Sequence, residues 1–204
     1  MKNRWTAFVA MAVLTVGVTS YAIAEVVIGK SAPLFSSKGS DGKDYKLDDY
    51  KGKFVVLEWY NRDCPFIHKH YDGGNMQKLQ ETYGKKDVAW FEVITSAPGT
   101  EGYLTPAQAD ANRVTSGTKS LATLLDPEGV IGKLYGAKTT PHMFVIDPKG
   151  ILIYKGAIDD HNSADAADIP TSKNYVAAAL DEAMAGKPVA ISSTKPYGCG
   201  VKYK

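Results

Sequence analysis

The sequence predicts an α/β domain, because strand signals and helix signals alternate along the chain. Two further observations agree with that fold class. The 180 residues that follow a predicted export signal (204 minus 24) suit one domain with a single core. The sequence also contains no internal repeat and no low-complexity tract that would indicate a solenoid or a fibrous architecture.

Residues 1–24 are predicted to be an export signal. Lys2 and Arg4 precede an apolar run over residues 5–18, and a small-x-small cleavage pattern ends at Ala24. An uncleaved membrane anchor is the alternative, but the run has 14 residues and a spanning helix needs about 20. We therefore expect cleavage after Ala24, a periplasmic or secreted protein, and no stable membrane insertion afterwards.

The predicted mature chain is formally neutral. The whole chain has 24 basic and 22 acidic residues, and loss of Lys2 and Arg4 leaves 22 of each. Nucleic-acid-binding domains carry a basic surface that neutralises phosphates, so nucleic acid is not expected as a partner. A glycine-rich phosphate loop after a strand is also lacking, so we expect no organic cofactor.

The first half of the predicted domain contains one buried strand and an interrupted helix. Residues 29–49 are rich in Gly, Ser, Asp and Lys, which indicates an irregular lead-in with a turn at Asp41-Gly42. Residues 54–60 form a nearly continuous apolar run, as in a strand covered on both faces. A helix is predicted from Pro65, and Gly73-Gly74 should break it before a second helical stretch.

The later elements continue the alternation, and each has a recognisable start or stop signal. The predicted elements are a strand over residues 88–94, a helix capped by Thr105-Pro106-Ala107-Gln108, a short helix from Asp126-Pro127 to Gly136, a hairpin of residues 143–146 and 151–154 around the turn 147–150, and a helix over residues 174–185. A polar tail, residues 191–204, follows the last helix.

Cys64 lies where the apolar strand should pass into a helix. Pro65 suits the first helical position, so Cys64 falls at or next to the N-cap. Unpaired backbone N–H groups and the helix dipole favour the thiolate there, and the thiolate is the nucleophile. An inert core cysteine is the alternative. Arg62, which flanks Cys64, and His68, one helical turn further on, are candidates for electrostatic activation.

The tail carries the second of only two cysteines, Cys199, between Gly198 and Gly200. Glycines on both sides predict a mobile thiol, and an oxidising compartment permits a disulfide with Cys64. A permanent structural bridge is one interpretation. The other is that Cys64 attacks a peroxide or disulfide sulfur and Cys199 resolves the product.

Five motifs together carry a family resemblance. They are residues 29–35 (GKSAPLF), 63–66 (DCPF), 74–77 (GNMQ), 139–141 (TTP) and 144–150 (FVIDPKG). Their order resembles the thioredoxin-like fold, and more closely its redoxin branch of peroxiredoxin-like and thiol-specific antioxidant (AhpC/TSA) proteins, over roughly residues 27–185. The resemblance implies a mixed β-sheet flanked by helices in a domain spanning residues 25–190, with the tail outside the shared fold.

The resemblance also implies an activity and a site. An exported thiol oxidoreductase or peroxidase-like antioxidant enzyme would act on peroxide or a protein disulfide and use a thiol reductant, and a homodimer is a candidate assembly. The Thr140-Pro141 peptide bond would be cis and would face the reactive cysteine. The site residues carried over in this way are Cys64, Cys199, Arg62, Thr140 and Pro141.

Two departures from the family patterns limit what can be carried over. Thioredoxins place a second cysteine where this chain has Ile67, so dithiol exchange within one helical turn is excluded. Peroxiredoxins place Thr or Ser where this chain has Asn61, and an arginine near the position of His142. The candidates to replace that arginine are Arg62, Arg113 and Lys138.

Two other classes of function stay open on the sequence. Cys64, His68 and His142 could form a copper-chaperone site, because thiolate and imidazole ligands suit Cu(I) or Zn(II). A non-catalytic binding domain that keeps the fold is the other alternative, since fold alone does not imply activity.

Overall fold

The computed structural model describes residues 26–204, so the predicted export signal lies outside the described part. Its strands are β1 (Ser36–Lys38), β2 (Asp44–Lys46), β3 (Val55–Trp59), β4 (Ala89–Ile94), β5 (Ala122–Leu125), β6 (Thr139–Thr140), β7 (Met143–Ile146), β8 (Leu152–Gly156) and β9 (Cys199–Gly200). Its α-helices are α1 (Pro65–Asp72), α2 (Asn75–Gly84), α3 (Pro106–Ser116), α4 (Val130–Tyr135) and α5 (Tyr175–Met184).

The central sheet has five strands in the order β5-β4-β3-β7-β8. Strands β3, β4 and β5 are parallel, whereas β7 runs antiparallel to both β3 and β8. Every residue of β3 and β4 is buried, because one core cluster lies on each face of the sheet. The predicted mixed sheet flanked by helices is therefore confirmed.

Helix boundaries follow the capping signals closely. Helix α1 begins at Pro65 with Cys64 as its N-cap. Helix α3 has the predicted capping box: the Thr105 backbone N–H donates to Gln108 Oε1 (2.9 Å), and the Gln108 backbone N–H donates to Thr105 Oγ1 (3.4 Å). Helix α4 starts at Val130, later than the prediction at Asp126, because the Asp126 carboxylate accepts from the backbone N–H groups of Ile131 and Gly132 in the first turn of the helix.

Two predictions for the ends of the domain were wrong. The lead-in over residues 29–49 is not irregular throughout, since β1 and β2 pair as an antiparallel hairpin around the Asp41-Gly42 turn. The tail is not loose either, since β9 pairs with β6. Each of these strands has two or three residues, which is too short to show the alternation from which strands are predicted.

No helix within residues 26–204 combines the length and the apolar character needed to cross a bilayer.

Candidate active site

Cys64 lies at the start of α1, on the edge where β3 ends. Its backbone is extended (φ −86°, ψ 122°), and Pro65 occupies the first helical turn. The Cys64 thiol donates a hydrogen bond to the Thr140 carbonyl oxygen, 3.0 Å away. The residue has 0% of its surface exposed. Cys64 therefore lies at a helix start, as predicted, but its side chain is buried.

The Thr140-Pro141 peptide bond is cis, as the resemblance implied. Thr140 ends β6, and its carbonyl faces the Cys64 thiol. The cis-proline loop and the start of α1 therefore enclose the Cys64 sulfur from two sides.

Cys199 lies next to the same cis-proline loop. Strand β9 pairs antiparallel with β6, and Cys199 lies opposite Thr140 in that register. Cys199 packs against the core cluster that contains Cys64, and both cysteines are free thiols. Burial, followed by the interaction with Cys64, raises the pKa of Cys199 to about 12. One chain thus brings both cysteines to the same place, with Cys199 as the half-buried partner.

Gly198 lets the tail approach this closely. Its φ is +131°, and a Cβ on it would lie 2.1 Å from the Thr140 carbonyl oxygen. A Cβ on Gly200, in contrast, would meet nothing within 4 Å. The expectation that both glycines make Cys199 mobile was therefore wrong, because Gly198 is a packing position.

A loop before α3 supports the site from the side. The Asn61 amide donates to Glu101 Oε1 (3.3 Å), while its oxygen accepts from the Asp63 backbone N–H (2.9 Å). Glu101 also pairs with Lys202 of the tail (3.7 Å). Asn61, where peroxiredoxins have Thr or Ser, thus orders the turn before Cys64 and connects it with the tail.

Two of the three predicted substitutes for that arginine, Arg62 and Arg113, pair with carboxylates. Arg62 is 46% exposed, and its Nε lies 3.4 Å from Asp63 Oδ1. Arg113 lies 3.7 Å from the buried Glu92 and donates to Ser120 Oγ at 2.8 Å. Arg62 lines a cavity of about 330 Å³ together with Ile67 and His68 of α1.

The candidate metal ligands do not form a metal site. His68 is exposed and pairs with Asp72 (3.2 Å). His142 is buried, and its Nδ1 accepts from the Lys138 backbone N–H (3.2 Å). Burial and the neighbouring Lys138 lower the pKa of His142 to about 3. In the part of the chain that the structure describes, no three His, Cys, Asp or Glu side chains are grouped to hold a metal ion. The copper-site alternative on Cys64, His68 and His142 is therefore wrong.

Tyr197, two residues before Cys199, was not predicted from the sequence to belong to the site. Its ring packs against Phe66 of α1 with the ring centroids 5.7 Å apart. Its hydroxyl donates to Asp159 Oδ1. An aromatic residue beside the second cysteine of a polar tail was the available signal.

The comparisons define the class of protein. The AhpC/TSA family model matches residues 28–155, and the chain belongs to that family. It is similar to a thioredoxin peroxidase of Echinococcus granulosus, with 31% identity over 142 residues, which cover 62% of this chain and 68% of that one. It is also similar to the thiol-disulfide oxidoreductase ResA of Bacillus thuringiensis, with 32% identity over 127 residues, covering 62% and 67%.

The fold has a solved counterpart over a longer stretch. An uncharacterized conserved protein from Geobacillus kaustophilus superposes with a TM-score of 0.73 and 25% identity, covering 87% of this chain and 93% of that one. The thioredoxin-like redoxin fold is thereby established, and the named relatives are thiol oxidoreductases and peroxidases.

Proposed function

We propose that this protein is an exported thiol oxidoreductase in which Cys64 is oxidised by substrate and Cys199 of the same chain resolves the product. The observation that carries this proposal is that Cys199 pairs with Thr140, whose carbonyl accepts from the Cys64 thiol, beside the cis-proline loop. A single chain supplies both sulfurs, so the chemistry needs no homodimer. Export is supported by the leader pattern in residues 1–24.

The burial of Cys64 favours a small hydroperoxide over a protein disulfide as its oxidant. The sulfur of Cys64 attacks one peroxide oxygen, the O–O bond breaks, and the other oxygen leaves as an alcohol or water. Cys64 becomes a sulfenic acid. The sulfur of Cys199 then attacks the sulfur of Cys64, the S–O bond breaks, and water leaves with the Cys199 proton. An external thiol reductant returns two electrons to the resulting disulfide.

A disulfide substrate would lead to the same product by a mixed disulfide on Cys64. The tail would have to move aside for it, because Cys64 has no exposed surface. We therefore propose peroxide as the first substrate to test, with a model disulfide as the comparison.

The test is a single turnover of the reduced protein with one equivalent of hydrogen peroxide. Mass spectrometry should show a peptide joining Cys64 to Cys199, and the protein should stay monomeric on a non-reducing gel. In Cys199→Ser, Cys64 should accumulate as sulfenic acid and pass to sulfinic acid with excess peroxide.

Cys64→Ser is the matched control, and it should consume no peroxide. Re-reduction by a thiol and repeated turnover separate a catalytic disulfide from a permanent structural bridge. A Cys199 that remains a free thiol after Cys64 is oxidised would exclude the resolving role.

A further inference from the structure

A buried charged cluster lies outside the cysteine pair. Lys69 Nζ lies 3.3 Å from Asp159 Oδ2, and the two side chains are 0% and 3% exposed. Lys69 Nζ also donates to the His161 carbonyl oxygen (2.9 Å), and the Tyr197 hydroxyl donates to the second oxygen of Asp159. Few lysines are buried this completely, and this one retains its charge partner and one further polar contact, the His161 carbonyl.

The cluster joins the two segments that carry the cysteines. Lys69 belongs to α1, five residues after Cys64, and Tyr197 precedes Cys199 by two residues. Asp159, just beyond β8, lies between Lys69 and Tyr197 and contacts both. The position of the tail over α1 therefore depends on one carboxylate that accepts from both sides.

The ring of Tyr197 strengthens the same connection. It packs against Phe66 with the centroids 5.7 Å apart, and Lys69 Nζ lies 5.7 Å from its centroid. Both partners belong to α1, within five residues of Cys64. The apolar face and the polar tip of one side chain thus both contact the helix that begins at the reactive sulfur.

Stability alone is a weak explanation for this cluster. A buried ion pair gives back in attraction roughly what it loses in desolvation, and apolar replacements are often as stable. Fixing one arrangement of segments is the best-attested role of such pairs. Here the arrangement that is fixed holds Cys199 against Cys64.

Building on the proposed function, we infer that Tyr197 is a positioning residue for the resolving step: its bond to the Lys69–Asp159 pair holds Cys199 within reach of oxidised Cys64. Reaction between two held groups is faster than between groups that must find each other. Tyr197 does not touch the substrate. It acts only through the position of Cys199.

The test is Tyr197→Phe, which keeps the ring on Phe66 and removes only the hydroxyl. After one equivalent of hydrogen peroxide, Cys64 should be oxidised as fast as in the natural chain. The disulfide should then form about tenfold more slowly, the factor that about 1.4 kcal/mol of lost positioning gives. Dimedone should trap more sulfenic acid, and alkylation of Cys199 in the reduced protein should be faster.

Tyr83→Phe is the matched control, because the Tyr83 hydroxyl donates to the Ala177 carbonyl (3.1 Å) between α2 and α5, away from the tail. It should change thermal stability by a similar amount and leave disulfide formation unchanged. A merely structural role for Tyr197 would make the two variants behave alike.

The outcomes separate this inference from the proposed function. If the natural chain forms no Cys64–Cys199 disulfide, the proposed function and this inference both fail. If it does, and Tyr197→Phe resolves at the natural rate with natural Cys199 alkylation, only the inference fails. Should Tyr197→Phe unfold at the assay temperature, Phe66→Leu replaces it, since it loosens the same ring and spares the ion pair.

Discussion

At the scale of single residues, the two cysteines differ in exposure and in their surroundings. Cys64 has no exposed surface and is the N-cap residue of α1. Cys199 is half-buried, and burial together with the Cys64 sulfur raises its pKa to about 12. In thiol–disulfide exchange, the sulfur that is more easily reached is attacked and the better leaving thiolate departs.

We therefore expect a reductant to attack Cys199 of the oxidised protein, with Cys64 as the leaving group. Oxidised protein mixed with glutathione and quenched by acid should carry glutathione on the Cys199 peptide when mapped by mass spectrometry. Glutathione found instead on the Cys64 peptide would contradict this expectation. Cys64→Ser, which has no disulfide to open, serves as the control.

At the scale of elements, the last strand completes the site. Strand β9 contributes one cysteine and packs against the carbonyl that contacts the other. The tail is also anchored beyond Cys199, because the Tyr203 hydroxyl donates to the Ala137 carbonyl (2.7 Å) and Lys202 pairs with Glu101. Its position is thus fixed on both sides of the thiol.

Gly198→Ala should disrupt this docking, because the new Cβ would lie 2.1 Å from the Thr140 carbonyl oxygen. A shift of about 1 Å at a reacting centre changes rates about a hundredfold, so we expect disulfide formation after peroxide to slow by that order. Gly200→Ala, on the other side of Cys199 with no atom within 4 Å, should react at the natural rate. Stopped-flow measurement of both variants gives the comparison, and equal rates would exclude a role for the close contact.

Elements with local signals were predictable from the sequence, and elements defined by distant partners were not. Pro65, the Thr105 capping box and the turn over residues 147–150 each specify their own conformation, and the helices and the hairpin follow them. Strand β9 exists only because β6 offers it hydrogen bonds. Nothing in residues 191–204 encodes the position of that partner.

At the scale of the whole molecule, three buried groups make folding stability depend on pH. Burial and the adjacent Glu92 raise the pKa of Glu58 from 4.5 to about 8. Burial lowers the pKa of His70 from 6.5 to about 4 and that of His142 from 6.5 to about 3. Between pH 4.5 and 8 the folded chain binds one more proton at Glu58, and below pH 6.5 the unfolded chain binds one more at each histidine.

The free energy of unfolding should therefore be highest near pH 6.5. Between pH 6.5 and 8 it should fall as pH rises, because the folded chain must release the proton of Glu58. Between pH 6.5 and 4.5 it should fall as pH decreases, because the two protons that the histidines bind in the unfolded chain outweigh the one that Glu58 keeps in the folded chain. The limiting slope on each side is about 1.4 kcal/mol per pH unit. Urea unfolding across this range checks the profile. Glu58→Gln should flatten the alkaline side and keep the acid side. A natural chain with no loss between pH 6.5 and 8 would contradict the assignment.

The family and the general fold were predictable from motifs along residues 27–185, and the matched family model confirms them. The site was predictable only in part. Cys64 and the cis-proline loop carry sequence signatures, so their meeting was expected. Lys69 and Asp159 lie next to polar residues in the sequence, so their burial was not predictable from it. Their pairing also depends on two segments 90 residues apart (159 minus 69).

The pairing of Thr140 with Cys199 also orders events in time. Residues 26–190 supply the sheet, the helices and the first sulfur, while the second sulfur comes 135 positions later (199 minus 64). The core can therefore be buried before Cys199 reaches Cys64. On the proposed function, catalytic cycling begins only when β9 docks on β6, so redox competence reports that this pairing has formed.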